Sequence, residues 1–65
     1  MQTQRPQLRG LDLKAERVRA GLTQAQLGER MGVSGRRVAN VEAEYRPAPS
    51  ICKRILTALA AEPDE

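Results

Sequence analysis

The sequence of 65 residues contains no histidine, phenylalanine or tryptophan, and it has only one cysteine and one tyrosine. A single cysteine excludes a disulfide within the chain, and the lack of histidine and of any ligand cluster excludes a structural zinc site. Because aromatic side chains are almost absent, the hydrophobic core has to be built from aliphatic residues. A chain this short without such cross-links is near the lower limit for folding alone, so we predict one domain of modest stability.

Other absences exclude whole classes of function. No apolar run approaches the length of a membrane span and the N-terminus has no apolar signal core, so we predict a cytoplasmic protein without a membrane partner. The sequence offers no histidine, no cysteine beside a base and no convergent set of acidic residues, so we predict that the protein is not an enzyme. Nothing in the sequence indicates a cofactor, a metal ion or a small-molecule ligand.

Charge is distributed unevenly along the chain. The formal net charge is +3, from 11 basic and 8 acidic residues, but Glu62, Asp64 and Glu65 all lie at the C-terminal end. Residues 1–61 therefore carry all 11 basic residues and only 5 acidic ones, which gives a formal charge of +6. A basic folded part with an acidic end suits a polyanionic partner, although the same charge is equally typical of a solvated surface.

The stretch from Thr23 to Glu42 has the start and stop signals of two short helices joined by a tight turn. Thr23 is the predicted N-cap of the first helix, and Gln26 completes a capping box. Gly32 follows the last periodic apolar residue, where a helix needs a positive φ to end, and Ser34 caps the second helix. This spacing predicts a helix-turn-helix, whose second helix lies in the DNA major groove, with a plain helical hairpin as the structural alternative.

The side chains of this unit divide into an inner and an outer set. We predict that Gly28 lies on the inner face of the first helix, where a bulky side chain would collide with the second. The apolar residues that should face the core are Leu27, Met31, Val33, Val38 and Val41. The residues left on the outer face of the second helix are Gly35, Arg36, Arg37, Ala39 and Asn40. A purely structural helix pair needs neither two adjacent arginines nor an asparagine at these positions.

Two further helices are predicted around this unit. The first spans Leu11–Ala20, and the last starts at Pro49 or Ser50 and runs to about Ala61, with an inner stripe that comprises Cys52, Ile55, Leu56 and Leu59. We therefore divide the chain into a flexible basic N-terminal arm (1–10), a folded domain (11–61) and an acidic tail (62–65). The arm carries Arg5 and Arg9, and it is either a simple mobile terminus or a contact to DNA phosphates or the minor groove.

From about Leu11 to Leu59 the sequence resembles the phage-repressor and Cro-like helix-turn-helix family, the lambda-repressor-like or XRE type. The residues that carry the resemblance are Leu13-Lys14, Arg17, Gly21-Leu22-Thr23-Gln24, Leu27, Gly32-Val33-Ser34, Val38 and Glu42. The resemblance implies an all-α bundle and a nucleoid-associated regulator of prokaryotic or phage origin. Because the sequence ends soon after the fourth helix, we expect four helices without the fifth that many relatives have.

The predicted base contacts lie at the start of the third helix, which helix-turn-helix docking points at base edges. Arg36 is placed to contact guanine, and Asn40 could pair with adenine or bond a phosphate. Arg37 could reach either a base or the backbone. Gly35 occupies a position where relatives often have a base-contacting side chain, and it could only let the backbone come close to the DNA.

The predicted phosphate contacts come mainly from the resemblance. Gln24, preceded by Thr23, opens the second helix, where the helix dipole and free N–H groups favour anions. Tyr45 and Arg46 lie in the loop with which relatives grip the DNA backbone, although the Tyr45 ring could instead pack on the core. Arg17, on an otherwise inward face, needs a charged partner, and we predict a mainly structural pairing with Glu42 and a possible additional phosphate contact.

These features favour a sequence-specific double-stranded DNA-binding regulator of the repressor or Cro-like type. An antitoxin or other protein-interaction module that binds DNA secondarily is the alternative. Because a single small module gives limited affinity, we predict a homodimer on a pseudo-palindromic operator. Ile51, Ile55 and Ala58 along the fourth helix are the predicted dimer interface, unless they only widen the core of the monomer.

Overall fold

The computed structural model describes residues 8–60, which form four α-helices and no strand. The helices are α1 (Gly10–Arg19), α2 (Gln24–Met31), α3 (Gly35–Ala43) and α4 (Pro49–Ala60). The predicted all-α fold with four helices is thus confirmed for this part of the chain. Among the described helices, none has the length and apolar character that a membrane crossing requires.

The start of α1 differs from the prediction by one residue, because Gly10 belongs to the helix. Its N–H donates to the carbonyl oxygen of Glu44 at 2.9 Å, and a Cβ here would collide with the carbonyl oxygens of Glu42 and Glu44. Glycine therefore lets the first turn of α1 rest directly on the C-terminal end of α3. Leu8 also packs against the core. The rest of the predicted arm (1–7, with Arg5) and the acidic tail lie outside the described residues.

The helix-turn-helix unit is closed by the caps that the sequence predicts. Thr23 Oγ1 accepts from the backbone N–H of Gln26 at 3.0 Å, and Gln26 Oε1 accepts from the backbone N–H of Thr23 at 2.8 Å. Gly32 has a φ of 75° and ends α2 in the left-handed conformation. Ser34 Oγ then accepts from the backbone N–H of Arg37 at 3.1 Å and starts α3. The turn between the two helices is therefore short and its geometry is fixed.

Gly28 lies where α2 approaches the turn most closely. A Cβ at this position would stand 2.6 Å from the carbonyl oxygen of Val33 and 2.9 Å from the carbonyl carbon of Ser34. The predicted collision is confirmed, but the obstacle is the backbone of the turn that leads into α3 and not the second helix itself. Backbone atoms cannot move aside as a flexible side chain can, so the position requires glycine.

The core is aliphatic, as the composition predicts, and every helix contributes to it. Its buried residues are Leu13, Leu27, Val38, Val41, Ile51, Cys52 and Ile55. Burial raises the pKa of the Cys52 thiol, which donates to the carbonyl oxygen of Pro47 at 3.7 Å, so Cys52 is a core residue. The prediction that Leu56 belongs to the inner stripe of α4 was wrong, since Leu56 is 38% exposed. The buried face of α4 carries Ile51, Cys52 and Ile55 instead.

The helices α2 and α4 each contribute an arginine that bonds to a carbonyl oxygen near the C-terminal end of the other helix. Arg30 of α2 donates through Nη1 to the carbonyl oxygen of Ala58 at 3.0 Å. Arg54 of α4 donates through Nη2 to the carbonyl oxygen of Met31 at 3.2 Å. Each arginine places its charge near the negative end of the other helix dipole. These contacts give Arg30 and Arg54 a structural role.

Candidate nucleic-acid interface

The outer face of α3 carries an unpaired set of polar side chains. The helix turns Val38, Val41 and Glu42 into the protein. Arg36, Arg37 and Asn40 are consequently exposed, and within residues 8–60 none of their side chains has a hydrogen bond or ion pair to another residue. The structure thus presents three of the four predicted base-contact residues together on one exposed helix.

Gly35, the fourth predicted base-contact residue, has a packing role. A Cβ at this position would lie 3.0 Å from the Cα and 3.1 Å from the backbone nitrogen of Ala25. The glycine therefore lets the first turn of α3 pack tightly against the first turn of α2. From the sequence, the expected consequence of the missing side chain is close approach of the backbone to DNA. The structure supplies a different reason, and the base contact of Gly35 stays a prediction.

A buried polar network fixes α3 against the two preceding helices. Arg17 of α1 donates through Nε to Oε2 of Glu42 at 2.7 Å and through Nη2 to Oε1 at 3.2 Å. The remaining guanidinium nitrogen, Nη1, donates to the carbonyl oxygen of Leu22 at 2.7 Å. Gln24, at the start of α2, donates through Nε2 to Oε1 of Glu42 at 3.1 Å. The Glu42 carboxylate of α3 thus accepts from one side chain of α1 and one of α2, and Arg17 is also bonded to the α1–α2 loop.

The network confirms the predicted pairing of Arg17 with Glu42 and corrects the further role given to Arg17. The two residues are only 7% and 8% exposed. Because the Arg17 guanidinium faces inward and donates to protein atoms from all three nitrogens, the structure does not support a phosphate contact by Arg17. A bidentate pair of this kind fixes the orientation of both side chains.

The other two residues predicted at the start of α2 have partners within the protein. Gln24 is half-buried, and one donor of its amide is used by Glu42. Thr23 is exposed, and its hydroxyl oxygen caps α2. Each side chain keeps one further N–H or O–H donor, so their phosphate contacts stay predictions.

Tyr45 and Arg46 form an exposed cluster with Arg9 just after α3. Tyr45 is 63% exposed, so the alternative in which its ring packs on the core was wrong. The guanidinium carbon of Arg9 lies 4.8 Å from the ring centroid, and that of Arg46 lies 5.7 Å from it. From the sequence, Arg9 is expected in a flexible arm, so its place beside Tyr45 is a finding of the structure. The signal in the sequence for the position of Arg9 is Gly10, because a glycine can pack closely on the end of α3 and thereby bring Arg9 to Tyr45.

The predicted dimer interface on α4 has to be corrected. Ile55 is 0% exposed and Ile51 is 8% exposed, so both side chains belong to the core of the single chain. Neither offers a surface to a second copy in this conformation, and the alternative that they widen the monomer core agrees with their burial. Ala58 is partly buried and packs against the same core.

The described residues also contain no metal-binding cluster, since no group of three or more cysteine, aspartate or glutamate side chains comes together in residues 8–60. Cys52, the cysteine of this chain, is buried.

A capped helix, a glycine turn and a second capped helix with an exposed basic face together define a helix-turn-helix DNA-binding domain. The model of the Helix-turn-helix family matches residues 13–65, which is most of the chain. The chain belongs to this family, in its XRE or lambda-repressor-like branch, whose domains are DNA-binding regulatory modules. Comparison with curated proteins and with solved structures gave no match.

Proposed function

We propose that this protein is a sequence-specific repressor or Cro-like switch protein that occupies a double-stranded DNA operator and thereby excludes polymerase. The observation that carries the proposal is the exposed set of Arg36, Arg37 and Asn40 on α3. A helix has room in the major groove of B-form DNA, where each base pair presents a different pattern of donors and acceptors. Guanidinium and amide groups that have no partner within the protein can form hydrogen bonds with these donors and acceptors.

Each of these three side chains has a chemically defined target. Arg36 lies in the first turn of α3 and would donate both ends of its guanidinium to O6 and N7 of a guanine. Asn40 lies one turn further along the same face and would pair with adenine or bond a phosphate. Arg37 flanks them and would contact a base or the backbone. The operator should therefore contain at least one guanine that Arg36 contacts.

Selection of bound duplexes from a random DNA pool tests the proposal as a whole. We expect enrichment of a short motif that includes guanine. Recovery of DNA without any enriched motif would contradict a sequence-specific regulator. That result would favour the alternative, an antitoxin or other interaction module that binds DNA only secondarily.

Replacement of Arg36 by alanine tests the central base contact. We expect Arg36→Ala to weaken binding to the selected duplex by about 1–3 kcal/mol and to relax the preference at one base pair. Binding should be measured on the selected and on a scrambled duplex, with Arg19→Ala as the control, because Arg19 is an exposed arginine of α1 with a surface ion pair to Glu16. An equal loss on both duplexes would show that Arg36 contacts a phosphate and does not recognise a base.

We further propose that the protein binds its operator as a homodimer, with the half-sites about one turn of DNA apart. The support is the small number of base contacts that a single α3 can make, since two modules roughly combine their binding energies. With Ile51 and Ile55 buried, Ala58 is the only residue of the predicted interface with appreciable exposure. Sedimentation of the complex on the best selected duplex should give two chains per duplex at saturation. One chain per duplex would refute the dimer.

A further inference from the structure

The cluster around Tyr45 brings two cations to one exposed aromatic ring. The guanidinium carbons of Arg9 and Arg46 lie 4.8 Å and 5.7 Å from the ring centroid. Each such cation–π contact is attractive, but two like charges on one ring repel each other. Within residues 8–60 neither guanidinium has an ion pair, although the carboxylate of Asp12 accepts the backbone N–H of Arg9 at 2.9 Å. An anion that binds both would relieve this repulsion.

The position of Arg9 is fixed by the fold and does not depend on the Tyr45 ring alone. Its backbone N–H donates to Asp12 Oδ2 at 2.9 Å, and the next residue, Gly10, donates to the carbonyl oxygen of Glu44 at 2.9 Å. The absence of a side chain at Gly10 allows this contact, because a Cβ would meet the backbone of α3. Arg9 is therefore held beside the residue that follows Glu44 in the chain, which is Tyr45.

The cluster follows directly after the helix that we assign to the major groove. The helix α3 ends at Ala43, and Tyr45 and Arg46 are the second and third residues beyond it. The oxygens of a DNA phosphate accept from guanidiniums and from a tyrosine hydroxyl, and charge-assisted bonds of this kind are among the strongest in proteins. The chemistry and the location both point to the sugar–phosphate backbone that borders the groove.

We propose that Arg9, Tyr45 and Arg46 form one phosphate-binding site for the DNA backbone, in which Arg9 is a DNA contact positioned by Gly10 and by the Tyr45 ring. We call these three residues the Tyr45 clamp. The proposal rests on the proposed function, because it assumes that α3 docks on DNA. It adds a contact from the start of α1 to those made by α3 and its following loop.

The salt dependence of DNA binding tests the Tyr45 clamp. Each phosphate that a protein cation neutralises contributes about 0.9 to the slope of log Kobs against log salt. For Arg9→Ala we expect a slope lower by about 1 and an affinity loss of roughly threefold to tenfold, equal on the selected and scrambled duplexes. The control is Arg19→Ala, which removes an exposed arginine from the opposite end of α1 and should leave the slope unchanged. Circular dichroism should show that both variants keep their helices.

Substitutions of Tyr45 show whether Arg9 and Arg46 bind phosphate as one joint site or as two independent cations. Tyr45→Phe retains the ring and should keep the slope, with a loss of affinity from the missing hydroxyl that is equal on the selected and scrambled duplexes. Tyr45→Ala removes the platform, so Arg9→Ala should cost less affinity in the Tyr45→Ala background than in the wild type. Equal costs in the two backgrounds would overturn the joint site.

The remaining outcomes decide between this inference and the proposed function. If the wild type binds DNA and Arg9→Ala has the same slope as the wild type, the Tyr45 clamp is refuted and the proposed function stands. If Arg9→Ala weakens only the selected duplex, Arg9 recognises a base and the phosphate assignment is overturned. If the wild type binds neither duplex, the proposed function fails and the clamp fails with it.

Discussion

Gly28→Val is expected to unfold the domain or to lower its Tm strongly. A valine Cβ would lie 2.6 Å from the carbonyl oxygen of Val33 in the turn, a separation that real Cβ atoms do not adopt. The collision is with backbone, so relief requires a shift of the turn and with it of α3. Such strain costs about 4 kcal/mol or more, which is comparable to the whole stability of a domain this small.

Thermal unfolding followed by far-ultraviolet circular dichroism measures this effect. The matched control is Glu29→Val, which introduces the same β-branched residue at the next position of α2 on its exposed side. The control should change the free energy of unfolding by only about 0.5–1 kcal/mol, since it alters helix propensity alone. An unchanged Tm for Gly28→Val would contradict the packing of α2 against the turn, and thus the helix-turn-helix assignment.

The second large effect is expected from removal of the carboxylate at the centre of the buried network. Glu42→Ala leaves the Arg17 guanidinium buried without its ion-pair partner and leaves the Gln24 amide without its acceptor. Breaking a buried ion pair from one side costs about 3–5 kcal/mol, because the remaining charge stays desolvated. We therefore expect Glu42→Ala to be unfolded or nearly unfolded at room temperature.

Two further variants show whether the loss comes from the unpaired charge. The double variant Arg17→Met with Glu42→Leu removes both charges and should recover much of the stability in urea unfolding, as apolar replacements of buried pairs often do. Glu16→Ala breaks the exposed pair with Arg19 and should cost less than about 1 kcal/mol. If Glu42→Ala costs no more than Glu16→Ala, the network does not hold α3 in place.

The elements that the sequence predicts best are those with local signals. Thr23 and Gln26 cap α2 within one turn, and Gly32 and Ser34 lie next to the helix ends that they determine. Each of these interactions spans at most three residues, so the sequence spacing is enough to specify it. The pairing of Arg17 with Glu42 was also predictable, because a charge on an inward face needs a partner of opposite sign.

The features that the sequence did not reveal depend on contacts between distant residues. Gly10 belongs to α1 because it contacts Glu44, which is far away in the chain. Gly35 is close to Ala25 across the turn, a distance that no local pattern encodes. The face of α4 is a similar case, because helical periodicity allows either Ile51 or Leu56 to join Ile55 inward. Only the packing of the whole core decides between them.

The central claim is that the exposed face of α3 is the surface that recognises DNA. Titration of the isotope-labelled protein with its best selected duplex, followed by amide chemical shifts in NMR spectra, tests this claim residue by residue. We predict the largest changes in α3 from Gly35 to Asn40, with further changes at Gln24 and in the loop at Tyr45 and Arg46. Changes centred on the outer face of α1, with the amides of α3 unaffected, would contradict the claim.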